Sequence, residues 1–343
     1  MGRYTGSHER GLTRRHALGG LGAVGALTAT AGAAGLAGLD AHLTAATAAT
    51  PQSAQGAATA RMFKLGDFEV ITVFDGFANV PRVHPIFGNN QSPEAVADLL
   101  TNNFLPADKT QFHFTPVIVK AGGETILFDA GNGPGRGETR GTLLSSLEAA
   151  GIKSDAITTV VLTHYHPDHV GGLMRDGKET FPNARYLSSE AEHNFWTSDT
   201  VLNSSDKQMQ GRAKFIKDNV LPIQDKFTFL KDGADVVTGV TAVATFGHTP
   251  GHLAFNIESN GKRLLLWADA CNHYVASLQK PEWHVVFDMD KDAAIASRKK
   301  VLDMAAADKV PATGYHMPFP AVGYVDRVND SFRWVPHSYQ LDI

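Results

Sequence analysis

The chain has 343 residues and a formal net charge of −4 at pH 7, with 31 Lys and Arg against 35 Asp and Glu. That balance excludes a protein that works by neutralising nucleic-acid phosphates, and the one basic cluster, Arg298-Lys299-Lys300, reads as a solvated helix face. A single cysteine, Cys271, excludes an intramolecular disulfide.

Arg14-Arg15 precede a stretch, Gly19 to Leu39, that carries no charge and is rich in Gly and Ala. It reads as a twin-arginine export signal, which predicts a periplasmic or extracellular protein. It is too poor in large aliphatic residues to predict a stable membrane anchor. Asp40 to Ala60 is Ala, Thr, Ser and Gln without hydrophobic period, the composition of a cleavage region and flexible linker. Residues 1–60 are therefore set apart from one folded domain over 61–343. That domain keeps the mildly acidic balance.

Apolar, β-branched runs follow at Phe68 to Phe74, Thr115 to Val119, Thr125 to Phe128 and Ile157 to Thr163. Gly122-Gly123 predicts a hairpin turn, and Leu143, Leu144 and Leu147 give a helical face that ends at Gly151. A second set of runs occupies Phe227 to Leu230, Val240 to Phe246, Leu253 to Ile257 and Arg263 to Trp267, followed by a helix from Lys291 to about Ala306. Two sheet-forming halves, each with helices, predict an α/β sandwich with the helices outside.

The strand Ile157 to Leu162 runs into Thr163-His164-Tyr165-His166-Pro167-Asp168-His169-Val170-Gly171-Gly172. Side chains alternate along extended backbone, so His164 and His166 point the same way and can grip one ion. Asp168 and His169 then begin a helical turn and face a second position. Each ion needs further ligands, because zinc prefers about four and a catalytic site leaves one position for water. Candidates are His248 in Gly247-His248-Thr249-Pro250-Gly251-His252, Asp269 in Trp267-Ala268-Asp269-Ala270, and His316 in Gly314-Tyr315-His316-Met317. Taken singly, a histidine after a strand is most often structural, but the order and number of these outweigh that reading.

The sequence His-x-His-x-Asp-His, then Gly-His-Thr-x-Gly-His, then Ala-Asp, then a last His resembles the full motif set of the metallo-β-lactamase superfamily. The resemblance implies a four-layer αββα sandwich. It places His164, His166 and His248 on one metal and Asp168, His169 and His316 on the other, with Asp269 bridging. Asp129 is implied to support the site without binding metal, and His252 to be structural. Two divalent ions per chain are implied, zinc first, with manganese, iron or cobalt accepted by the same donors. Such a pair lowers the pKa of a shared water, so the implied reaction is attack by a metal-bridging hydroxide, with Asp168 passing a proton to the leaving group and Asp269 holding the pair.

Within the superfamily the chain is most similar to the methyl parathion hydrolase and quorum-quenching lactonase branch. That likeness rests on His164 to Leu173, on Val286-Phe287-Asp288-Met289-Asp290 and on His316 to Gly323. It implies a small-molecule substrate, namely a lactone, an ester or an organophosphate triester, and it admits a homodimer. The competing expectations are a β-lactam hydrolase and a mononuclear iron enzyme of the persulfide dioxygenase kind. Phe195, Trp196, His273, Tyr274 and Phe319 are expected at the substrate pocket. His84, His113, His284 and His337 match no motif and read as structural or surface residues.

Overall fold

A computed structural model describes residues 58–338. The chain divides into two units, Met1–Gln55 and Gly56–Ile343. The first unit, and with it the expected export signal and nearly all of the linker, lies outside the described residues. No helix among the described residues is long and apolar enough to cross a membrane.

The apolar runs become two seven-stranded sheets. In spatial order the first is Ala60–Leu65, Phe68–Val73, Val117–Ala121, Glu124–Phe128, Thr159–Val161, Arg185–Ser189 and Phe227–Leu230, antiparallel at its start and parallel from Glu124–Phe128 onward. The second is Asp235–Val237, Val240–Ala244, Leu253–Ser259, Lys262–Ala268, Ala312–Gly314, Val322–Val328 and Ser331–Pro336. Only its pair Lys262–Ala268 with Ala312–Gly314 is parallel.

Alternation explains why the runs are unbroken rather than patterned. In Ile126-Leu127-Phe128 the outer two side chains enter the layer between the sheets, where Phe128 meets Phe255 edge-on at 4.9 Å, while Leu127 enters the layer under the helices. Val160 and Val161 divide in the same way. A strand covered on both faces has no polar side to show. Helices Leu143–Ala149, Glu190–Thr197 and Lys207–Val220 cover the outer face of the first sheet, and Lys291–Asp308 covers the second. The architecture is the expected four-layer αββα sandwich.

The basic cluster departs from expectation. Lys299 and Lys300 are exposed, but Arg298 is fully buried. Its guanidinium donates to the carbonyl oxygens of Ala270, Pro281 and Trp283 and to Asp288 Oδ2 at 2.7 Å. An ion pair replaces the solvated face there because the helix packs that side against the loops behind the candidate site.

Candidate metal centre

The seven expected donors come together at one rim of the sandwich. His164, His166, Asp168 and His169 follow the strand Thr159–Val161, and His248 follows Val240–Ala244. Asp269 and His316 follow Lys262–Ala268 and Ala312–Gly314. Two donor sets form, His164, His166, His248 and Asp269, and Asp168, His169 and His316, with the donor atoms of each set within 4.8 Å of one another. All are buried except Asp168, whose side chain keeps 22% of its exposure, and His316, which is nearly so.

The local backbone is shaped for this. The chain reaches Asp269 through Ala268 at φ +47°, a left-handed conformation uncommon for a residue with a Cβ. The His-rich loop ends in Gly172, where a Cβ would stand 1.9 Å from the carbonyl oxygen of Ala130. That close approach lets the loop lie against Asp129 and leaves no room for any side chain.

The outer ring nitrogens of His248, His316, His169 and His164 each have a neighbour that turns the inner one toward the centre, whereas His166 Nε2 has none. His248 Nδ1 donates to Asp288 Oδ1 at 2.9 Å, and His316 Nδ1 donates to the carbonyl oxygen of His113 at 2.8 Å. His169 Nδ1 lies 2.9 Å from Asp129 Oδ2. Asp129 Oδ1 also accepts the backbone N–H of Thr163, whose hydroxyl stands 3.1 Å from His164 Nδ1. His252 is structural, as expected: its Nε2 accepts the backbone N–H of Asp269 at 3.1 Å. Burial pushes His252 down to about 3, so it stays neutral.

The inner atoms have the spacing of a coordination shell. His166 Nδ1 is 3.1 Å from His164 Nε2 and 2.9 Å from His248 Nε2, and Asp269 Oδ2 is 3.4 Å from His248 Nε2 and 3.1 Å from His316 Nε2. Asp269 Oδ1 is 3.5 Å from His169 Nε2, and Asp168 Oδ2 is 3.6 and 3.5 Å from His169 Nε2 and His316 Nε2. Zinc–nitrogen bonds of about 2.05 Å in a tetrahedron set donors about 3.3 Å apart. Buried His169 Nε2 and Asp269 Oδ1 have no hydrogen-bond partner, a cost that a cation would remove. The residues therefore fit metal, with Asp269 Oδ2 beside donors of both sets and Oδ1 beside His169 of the second.

The electrostatics divide along the same line. Burial drives His164 and His166 far below the ordinary histidine range, which leaves their lone pairs free. Burial would also lower His169, but Asp129, Asp269 and Asp168 outweigh it and raise its pKa. Asp269 runs against its own burial, since His316 and His169 hold its carboxyl well below the usual range.

Two cavities meet at the site. One of about 490 Å³ contains His166, Asp168, His248, Asp269 and His316 together with Phe112, Phe114, Phe215 and Phe287. The other, of about 600 Å³, shares Val80, Phe112 and His316 with it and is lined by Leu100, Leu105, His273 and Tyr274. His273 and Tyr274 thus stand where a substrate pocket was expected, and the other three aromatics do not. Trp196 is wholly buried, with its Nε1–H donated to Glu192 Oε1 at 2.8 Å. Phe195 packs edge-on against it in the core, 5.1 Å between ring centres. Phe319 leans on Phe74 at 5.1 Å and gives its backbone N–H to His113. Phe319 lies beside His316 in sequence and the other two do not, but helix or turn directs all three into the packing.

Several supporting residues carry no motif signal in the sequence, Asp288 among them. Glu192 accepts the backbone N–H groups of Tyr165 and Gly251 at 2.8 and 2.9 Å, tying two motif loops together. Tyr315 donates its hydroxyl to the carbonyl oxygen of Asp168 at 2.6 Å and lies over His169, 3.9 Å between ring centres. His113 proves to be part of the site's support.

Fold and donor set define a metallohydrolase, and residues 115–312 match the family model of the metallo-beta-lactamase superfamily, to which the chain belongs. Among solved structures it is similar to AidC, a dizinc quorum-quenching lactonase in complex with a product, at 29% identity and a TM-score of 0.76, covering 82% of this chain and 98% of that one. The hydrolase AbOPH is similar at 27% identity, a TM-score of 0.76 and the same coverage. Among curated relatives, the uncharacterized protein YobT of Bacillus subtilis is 28% identical over 169 residues, which span 48% of this chain and 70% of that protein. An N-acyl homoserine lactonase of Bacillus cereus is 23% identical over 167 residues, and the match spans 49% of this chain and only 58% of the lactonase.

Proposed function

We propose that the protein is a lactonase-type hydrolase that opens a lactone or a related carboxylic ester, and that it carries two divalent cations, zinc first. Aryl esters and organophosphate triesters fall within reach of the same geometry. The observation that carries this reading is the two adjacent donor sets, with Asp269 of the first within 3.5 Å of His169 and His316 of the second, beside a largely apolar cavity. The likeness to AidC and to the Bacillus lactonases adds support.

When bound, a pair of divalent ions supplies a water of lowered pKa and polarises the acyl or phosphoryl oxygen. The chain's own residues do the rest. Asp288, Asp129 and the His113 carbonyl lock the tautomers of His248, His169 and His316, so that the inner nitrogens of these three offer lone pairs. Asp168, the most exposed donor, stands at the cavity wall with its backbone fixed by Tyr315, placed to pass a proton to the departing oxygen. Leu100, Leu105 and Tyr274 offer an apolar chain a dry surface.

The test is turnover of an acyl-homoserine lactone, a phosphotriester, an aryl ester and a cephalosporin by the metal-stripped and zinc-reloaded protein. Zinc-dependent turnover of the lactone is expected to lead. Turnover of the cephalosporin alone would instead make it a β-lactam hydrolase, and one iron per chain with oxygen uptake would make it a dioxygenase. We also propose export through Arg14-Arg15: replacing both with Lys should retain the protein in the cytoplasm, and unaltered export would remove that reading.

A further inference from the structure

The cavity that holds the donors has a second population of charged groups which hydrolysis of a neutral ester leaves unused. Arg136, Arg140 and Arg212 all line it. The first two lie in the loop after the strand Glu124–Phe128, and the third is on helix Lys207–Val220. All three are partly buried.

The contacts of Arg136 and Arg140 hold those two side chains without neutralising their charge. Arg136 lies over the ring of Phe215 at 4.7 Å and Arg140 over Phe114 at 5.9 Å, while Arg140 Nε donates to the Arg136 carbonyl oxygen at 2.5 Å. Arg136 Nε is buried and has no hydrogen-bond partner. Among the described residues no carboxylate stands within ion-pairing distance of any of the three, although the surface arginines Arg185, Arg263 and Arg333 each have one. Burial lowers the pKa of Arg136 and Arg212, and Arg140 lowers Arg136 further. Asp168 acts on both from a distance, but it belongs to the donor set, and Asp206, the N-cap of the same helix, acts on Arg212 from beyond ion-pairing distance. Three like charges partly withdrawn from water into one wall are costly unless an anion joins them.

We propose that Arg136, Arg140 and Arg212 form an anion-recognising wall, and that the natural substrate carries a carboxylate or phosphate group in addition to the bond that is cleaved. The inference rests on the hydrolase reading and narrows its substrate class. Guanidinium forks match either oxyanion in bidentate fashion. The two cavities then divide one amphiphilic molecule. Its apolar end lies among Leu100, Leu105 and Tyr274, its anion lies at the arginines, and the scissile bond falls near His316, which borders both. The anionic group takes no part in the bond changes, which remain the addition of water and release of the leaving oxygen with a proton.

Two 4-nitrophenyl esters test this on the zinc-loaded full chain, a pentanoate and the monoester of glutarate, which differ by a terminal carboxylate. One charge-assisted hydrogen bond is worth about 1.5 kcal/mol or more, so the glutarate ester should lead by about tenfold in kcat/KM at low salt. About 0.5 M NaCl should shrink that lead, and in an Arg136→Gln, Arg212→Gln variant the ratio should fall to near one. Free glutarate and methyl phosphate should each be tried for a rise in melting temperature that the variant lacks, and whichever gives it identifies the anion. Equal turnover of both esters, or a preference that survives in the variant, would overturn the wall while leaving the hydrolase intact. Stabilisation through the arginines without turnover of either ester would keep the wall and remove the hydrolase reading. Should the variant fail to fold, the salt response of the wild-type ester ratio still decides.

Discussion

Asp288 shows how far a single buried carboxylate can reach. It accepts from Arg298 on one oxygen at 2.7 Å and from His248 on the other at 2.9 Å, and those contacts hold its carboxyl below the usual range despite burial. In an Asp288→Asn variant the amide cannot accept from both. Support of this kind is worth about 10–100-fold in metal affinity, so zinc competition against a chromophoric chelator should show a loss in that range with the fold retained. An unchanged affinity would make Asp288 a packing residue only. His273 is expected to act on stability instead. Its Nδ1 accepts the backbone N–H groups of Val275 and Ala276, and burial pushes its pKa down to about 4. As pH falls below about 6.5 the unfolded chain gains a proton that the folded chain refuses, so stability falls with pH until about 4. Between pH 7 and 5 that amounts to about 2 kcal/mol. The variant His273→Asn, whose amide oxygen can accept from the same backbone groups, should flatten this part of the melting-temperature profile; an equally steep profile would assign the acid sensitivity to other groups.

At the scale of elements, the donor order was legible because strand ends present side chains in sequence: His164 and His166 alternate, and Asp168 and His169 begin the helical turn Pro167–Val170. The two sheets were legible for a similar reason, as unbroken apolar runs. What sequence could not reveal is where a helix sends its far face. Phe195 and Trp196 are expected at the pocket, yet helix Glu190–Thr197 turns Trp196 inward to Glu192. Arg298 looked like one of three surface cations, yet helix Lys291–Asp308 carries it inside. Periodicity alone does not distinguish a buried, paired arginine from a solvated one, because the partners come from loops remote in sequence. Truncation gives the measure of that burial: Arg298→Met would leave Asp288 charged with only His248 to donate to it, and removing one partner of a buried pair costs about 3–5 kcal/mol. Chemical denaturation should register a loss of that size, whereas a loss below about 1 kcal/mol would mean that Asp288 relaxes toward water.

For the whole molecule, the donors are divided between its halves. The first sheet ends in His164, His166, Asp168 and His169, and the second supplies His248, Asp269 and His316, so any bound ion is a cross-link between two layers otherwise joined by apolar contacts such as Phe128 on Phe255. An ion that binds only the folded state stabilises it by about 2.7 kcal/mol at a free concentration 100 times its Kd. In a domain of this size each kcal/mol moves the melting temperature by about 2–4 °C. Chelation should therefore lower it by about 5–10 °C, zinc should restore it, and Asp269→Ala should abolish most of the response because the carboxylate stands beside donors of both sets. If the sets instead act independently, the Ala variant will keep about half of the zinc response and bind one ion per chain with little loss of affinity. The distances of Asp269 to His248, His316 and His169, all at or below 3.5 Å, argue for the first outcome: one carboxylate closes both shells, and without it each shell loses a donor at the face where they meet.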